Sequence, residues 1–151
     1  MGFFSAARQG RKDDVELGKG LWRRAHDRFI RGLDRYHQIL EGVEDEALYV
    51  ELLAVADDLS ALSGRVRSIC VEAQRRSPSD GLDIPGRLAG VHRALSTAGN
   101  SLATTAEAAA MLRLALAPAP AGAESVRRRA QTVVEHVNDA ERRLAETAVS
   151  D

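Results

Sequence analysis

The sequence predicts an all-α protein, and within that class an antiparallel up-down-up-down four-helix bundle with coiled-coil-like packing. Three observations lead there. Apolar residues recur three or four positions apart through four long stretches, and no stretch shows strand-like alternation. Three clusters of turn formers separate those stretches: Glu41-Gly42-Val43-Glu44-Asp45, Ser77-Pro78-Ser79-Asp80-Gly81-Leu82-Asp83 and Pro118-Ala119-Pro120-Ala121-Gly122. The 151 residues are 44% hydrophobic and 28% charged, a balance able to bury one core. Aromatics are only 4%, so that core must be aliphatic.

Residues 1–14 precede the periodic region and are expected as a flexible or amphipathic N-terminal segment, leaving 15–151 for the bundle. Helix one is placed at about 15–41, with Leu17, Leu21, Ala25, Phe29, Leu33, Tyr36 and Leu40 on one face. Helix two, about 45–76, carries Leu48, Leu52, Val55, Leu59, Leu62, Val66, Ile69 and Ala73 in a strict four-three alternation, the seam of a coiled-coil-like contact. Acids open it (Glu44, Asp45, Glu46) and Arg75 and Arg76 close it, in line with the helix dipole.

Helix three is expected over about 83–117, with Asp83 as N-cap and Pro85 in the first turn. Its face is Ile84, Leu88, Val91, Leu95, Ala98, Leu102, Ala106, Ala109, Leu112 and Leu116. Gly86, Gly90 and Gly99 interrupt it, as points of close backbone approach or of flexibility. Helix four, about 123–149, uses Val126, Ala130, Val133, Val137, Ala140, Leu144 and Ala148, small residues suited to a shallow, close contact. Short links between long helices favour antiparallel contact between consecutive ones.

Composition and motifs remove several functions from consideration. A net charge of −1 argues against a generally basic nucleic-acid binder. Cys70 is the single cysteine and has no internal disulfide partner, and no segment resembles a signal peptide or a membrane span. The expected location is therefore cytoplasmic. The 19 Arg against 2 Lys, with Ala the commonest residue, suggest a bacterial, GC-rich coding sequence. A di-iron bundle needs paired Glu-x-x-His motifs, and none of the four histidines has Glu three positions before it. Asp34-x-x-His37 is a single imperfect match. His26 and His37 lie about 16 Å apart along a helix and cannot share a metal, while His92 and His136 read as boundary residues. Cys70 beside the helix-two seam reads as a small hydrophobe, and no nucleophile elbow, P-loop or dinucleotide fingerprint is present. No cofactor and no catalytic residue are predicted.

Two surfaces remain. Arg24, Arg28, Arg31 and Arg35, with Arg23 nearby, return to one flank of helix one and form a ridge of positive charge. The ridge would dock an acidic partner, nucleic-acid phosphate or anionic lipid, or be neutralised internally by Glu44, Glu51 and Asp58 of helix two at heptad spacing. The N-terminus places Phe3 and Phe4 ahead of Arg8, Arg11 and Lys12. This segment would touch an anionic membrane surface weakly and reversibly, cap the open end of the bundle, or stay disordered. Myristoylation is not expected, because residue 6 is Ala. Trp22, toward one edge of the helix-one face, and Ile30, outside it, fit either an interface, as in a homodimer, or ordinary peripheral packing. The functional expectation is a non-enzymatic adaptor or assembly protein of a bacterial cytoplasm, binding a protein partner at or away from the inner face of the membrane. The alternative is a small-molecule or cofactor-binding bundle with enzymatic activity.

Overall fold

The computed structural model describes residues 2–83, 86–114 and 119–149, and of Phe3, Ala119, Pro120 and Val149 only the backbone. These residues form five α-helices packed together: α1 (Gly2–Leu17), α2 (Leu21–Glu41), α3 (Glu46–Arg76), α4 (Ala89–Arg113) and α5 (Ala119–Val149). A single 3-10 turn, Gly86–Leu88, precedes α4, and no strand occurs among the described residues.

Local chemistry sets the ends of α3. Asp45 stands at its N-cap in an extended conformation and accepts a hydrogen bond from Leu48 N–H at 2.8 Å. Glu46 in the first turn and Arg75 and Arg76 in the last meet the helix dipole with charges of the favourable sign.

Helix one of the sequence reading proves to be two helices, broken at Gly18-Lys19-Gly20. Gly18 adopts φ +71°, a left-handed conformation that ends α1 and that residues with a Cβ seldom tolerate. At Gly20 a Cβ would lie 2.2 Å from the Ser79 carbonyl oxygen, so the chain crosses there only as glycine. Gly20 has no side chain to cap α2. The missing acceptor comes from 58 residues away, where Ser79 Oγ accepts from Leu21 N–H at 3.0 Å. Trp22 completes this clasp by donating its indole N–H to the Ser77 carbonyl at 3.0 Å.

The other two starts also move. α4 begins at Ala89 rather than at Asp83, which lies outside any helix; Ile84 and Pro85 fall outside the described residues. α5 begins at Ala119, before the expected 123, because Pro120 falls within its first turn, where a missing N–H costs no helical bond. Leu116 and Pro118 lie outside the described residues.

The helices pair in two hairpins. Tyr36 OH, late in α2, donates to the Leu52 carbonyl early in α3 at 2.8 Å, while Trp22 at the start of α2 meets Ser77 beyond α3's end, so these helices run antiparallel. In the second hairpin Gly90 lies against Arg143, and Leu112 against Gly122. Across the hairpins the contacts are parallel. Trp22 meets the His92 ring edge-on at 6.0 Å and Gly42 lies against Arg113, joining α2 to α4. Glu51–Arg127 at 3.1 Å and Arg65–Glu141 at 2.7 Å join α3 to α5. The consecutive helices α3 and α4 share no substantial contact, contrary to the expectation of adjacency. The segment between them is long enough to cross to the opposite corner.

The core is mostly aliphatic, but Trp22, Phe29 and Tyr36 of α2 are buried in it as well. Every residue of the α3 seam is buried, as are Leu88, Val91, Leu95, Ala98, Leu102, Ala106, Ala109 and Leu112 of α4. Burial of each large side chain contributes roughly 1.5–3 kcal/mol before chain entropy is set against it. The helix-three glycines are not points of backbone approach. A Cβ at Gly86 would meet nothing, and at Gly90 or Gly99 it would meet only arginine side chains.

Candidate functional site

α2 carries its charge on the side away from the core. Phe29, Leu33, Tyr36 and Leu40 are buried, whereas Arg24, Arg28, Arg31 and Arg35 are all exposed within an arc of about 60°. Arg28 donates to the Asn100 side chain of α4. Arg24, Arg31 and Arg35 form no ion pair with any described residue. The internal neutralisation expected from helix two does not occur, because Glu51 turns instead to Arg127 of α5. Asp58 lies with Glu51 along the groove between α3 and α5, beside Arg127 and Val134. Arg23 stands apart from the ridge, binding Asp14 at 2.9 Å and Asp27 at 3.0 Å.

The N-terminal segment is helical, and α1 is held by charge. Arg67 of α3 lies 2.7 Å from Asp13 and 2.9 Å from Glu16, and Arg23 adds Asp14. Partial burial works against the Asp13 carboxylate. Hydrogen bonds from Arg67 and Gln9, with the charges of Arg67 and Arg23, outweigh it and hold the carboxyl below its ordinary value. Among the described side chains of α1, Leu17 alone is apolar and fully buried. Phe4 is 75% exposed, so it does not cap the bundle, while the Phe3 side chain lies outside the described residues. Arg8, Arg11 and Lys12 are exposed alongside Phe4.

Trp22 is the clear departure among the candidate surface residues. It is fully buried, with its N–H satisfied inside the protein, and offers nothing to a partner. Ile30 is half-buried. Missed by the sequence reading is a second apolar set on α3, facing away from the seam: Val50, Leu53, Ala54 and Ala61, all exposed, interleaved with Glu46 and Asp57. Its signal was present as apolar residues off the four-three alternation.

Other chemistry is engaged internally. Burial, then the Asp27 charge, pushes the Cys70 thiol up to about 12. His26 pairs with Asp27 at 3.0 Å and His37 with Ser60 at 3.1 Å. Among the described residues no buried side-chain nitrogen or oxygen lacks a partner, and no group of three or more His, Cys, Asp or Glu is placed to hold a metal ion. A groove of about 670 Å³ lies at the α3 C-terminal end, bordered by Glu72, Arg75, Arg76, Arg87 and Leu88. There Arg75 is tied to Glu72 at 2.6 Å and Arg76 donates to the Leu144 carbonyl at 3.0 Å. No helix of the described residues is long and apolar enough to cross a membrane.

These features define an all-helical protein with charged, outward-facing helix surfaces. Comparison of the chain with protein-family models, curated proteins and solved structures gives no match.

Proposed function

We propose that the protein is a non-enzymatic adaptor or assembly module of a bacterial cytoplasm that docks an acidic protein segment along α2. The scaffold is read as an up-down-up-down bundle of α2 to α5 with coiled-coil-like packing. The burial of the α3 seam and the two antiparallel hairpins support that reading. The observation that carries the function is the exposed row Arg24, Arg31 and Arg35, three guanidinium groups without an ion pair to any described residue. Such a row raises the local concentration of an oppositely charged partner and speeds its encounter. The inert environment of Cys70 supports a role without covalent chemistry.

The test compares the full chain with the R24A/R31A/R35A variant. Each is titrated with a glutamate-rich peptide, with duplex DNA and with vesicles containing phosphatidylglycerol, at low and high salt. Peptide binding that is lost in the variant and weakens with salt is the expected result. Equal binding by both proteins sinks the proposal, and a preference for DNA or for vesicles replaces the partner class. A second reading, small-molecule binding, is favoured by the arginine-bordered groove beside Leu88. A mass-detectable ligand that copurifies and is lost on R87A substitution would establish it.

A further inference from the structure

α1 uses two faces for opposite purposes. Its inner face is acidic, with Asp13, Asp14 and Glu16 clamped by Arg23 and Arg67. Phe4, Arg8, Arg11 and Val15 lie within an arc of about 60° on the opposite side. All four are exposed, Phe4 at 75% and Val15 at 84%. Neither Arg8 nor Arg11 forms an ion pair with a described residue. The stripe runs about 16 Å, from residue 4 to residue 15.

A counterpart exists on the same molecule. The outer side of α3 presents Glu46, Val50, Leu53, Ala54, Asp57 and Ala61 within an arc of about 100°, over about 22 Å. All six are exposed, Val50 at 64%. Neither Glu46 nor Asp57 forms an ion pair with a described residue. One stripe therefore carries two cations, one turn apart, between apolar ends, and the other carries apolar residues on both sides of the single acid Asp57, with Glu46 about 16 Å away along the helix.

Within one chain the two stripes cannot meet. The inner face of α1 is the one fastened to Arg67 of α3, and Gly18 beyond it rests against Gln74 near the α3 C-terminus, so the Phe4 stripe points away from its own α3. We propose that the Phe4–Val15 face of α1 docks on the Glu46–Ala61 face of α3 in a second copy of this chain. Apolar residues bury one another while Arg8 and Arg11, one turn apart, straddle Asp57, and Glu46 adds negative charge at the end of the face, so the contact is directed by charge and loosened by salt. α1 stays attached to its own bundle, and no exchange of helices is needed. The surfaces differ from the α2 ridge, so this self-association and the binding of an acidic partner stand or fall separately.

Sedimentation velocity across a range of concentrations, at low and high salt, tests the proposal on the full chain and two charge-reversed variants. Wild type is expected to associate in a concentration-dependent way that salt weakens. R8E/R11E and E46R/D57R are each expected to lose association by a factor on the order of ten or more, because like charges now face one another. An equimolar mixture of the two variants is expected to associate again, since each α1 then finds an α3 of opposite sign. That rescue would not occur if either variant were simply misfolded. Wild type that stays monomeric throughout overturns the proposal, as does a mixture that fails to associate. A monomeric chain that pellets with anionic vesicles, and does so only with residues 2–12 present, assigns the α1 face to membranes instead.

Discussion

Replacing Gly20 with alanine puts a methyl carbon 2.2 Å from the Ser79 carbonyl oxygen, 2.4 Å from its carbonyl carbon and 2.6 Å from its Oγ. Two of those atoms are backbone, so the 77–79 segment or the start of α2 must move. Either movement opens the clasp. Loss of the hydrogen bond from Leu21 N–H to Ser79 Oγ resembles loss of an N-cap, about 1 kcal/mol. Separation of the buried Trp22 N–H from the Ser77 carbonyl strands a donor at a cost of about 1–3 kcal/mol. Together these place Gly20→Ala at roughly 2–4 kcal/mol, a large share of the roughly 5–15 kcal/mol that holds a domain of this kind. Ser79→Ala removes only the cap and should cost about 1 kcal/mol. Trp22 is the single tryptophan of the chain, so its fluorescence reports the clasp directly during urea unfolding. The expected result is a lower midpoint for both variants, the larger drop for Gly20→Ala, and a red-shifted native emission for that variant. A Gly20→Ala protein as stable as wild type, or less affected than Ser79→Ala, would refute the steric reasoning.

Two further outcomes follow from burial and charge. Cys70, buried with its thiol pushed up to about 12, should react with a disulfide reagent at neutral pH only through opening of the fold, slower than in denaturant by a factor on the order of 10³ or more; rapid labelling of the native protein would show that α3 is not packed as described. Acid should act in two windows. Burial lowers the His92 pKa, so its contribution is present above the ordinary 6.5 and is lost as pH falls through the lowered value. His92→Gln should flatten the fall in urea midpoint there. The Asp13 carboxyl is held below 3.8, so its grip on α1 persists above 3.8 and is lost as pH falls through its folded value. Hydrogen exchange should then rise in α1 before α2 to α5, and simultaneous exchange of all five helices would contradict a charge-held α1.

Much of the fold was legible because helical periodicity is local information. The α3 seam from Leu48 to Ala73 is buried at every predicted position, and so are the predicted faces of α2 and α4 among the described residues, except that Ala25 is half-buried. The arginine ridge was equally legible, since positions 24, 28, 31 and 35 share a flank in any helix that contains them. Its lack of neutralisation was not. Glu51 sits at the right spacing along α3, but only the rotation of α3 against α5 decides that it meets Arg127.

By itself, the sequence determined the helical class, a largely aliphatic core and most of the residues that turn inward, Ala25, Leu144 and Ala148 excepted, because 3.6-residue periodicity and capping chemistry act within a few positions. Only the tertiary structure decided the break at Gly18 to Gly20, the burial of Trp22 and the separation of α3 from α4. Each of these depends on atoms distant in the chain. Ser79 supplies the cap that Gly20 lacks, Ser77 the acceptor that draws Trp22 inward, and the 77–88 segment the reach that carries α4 to the far corner.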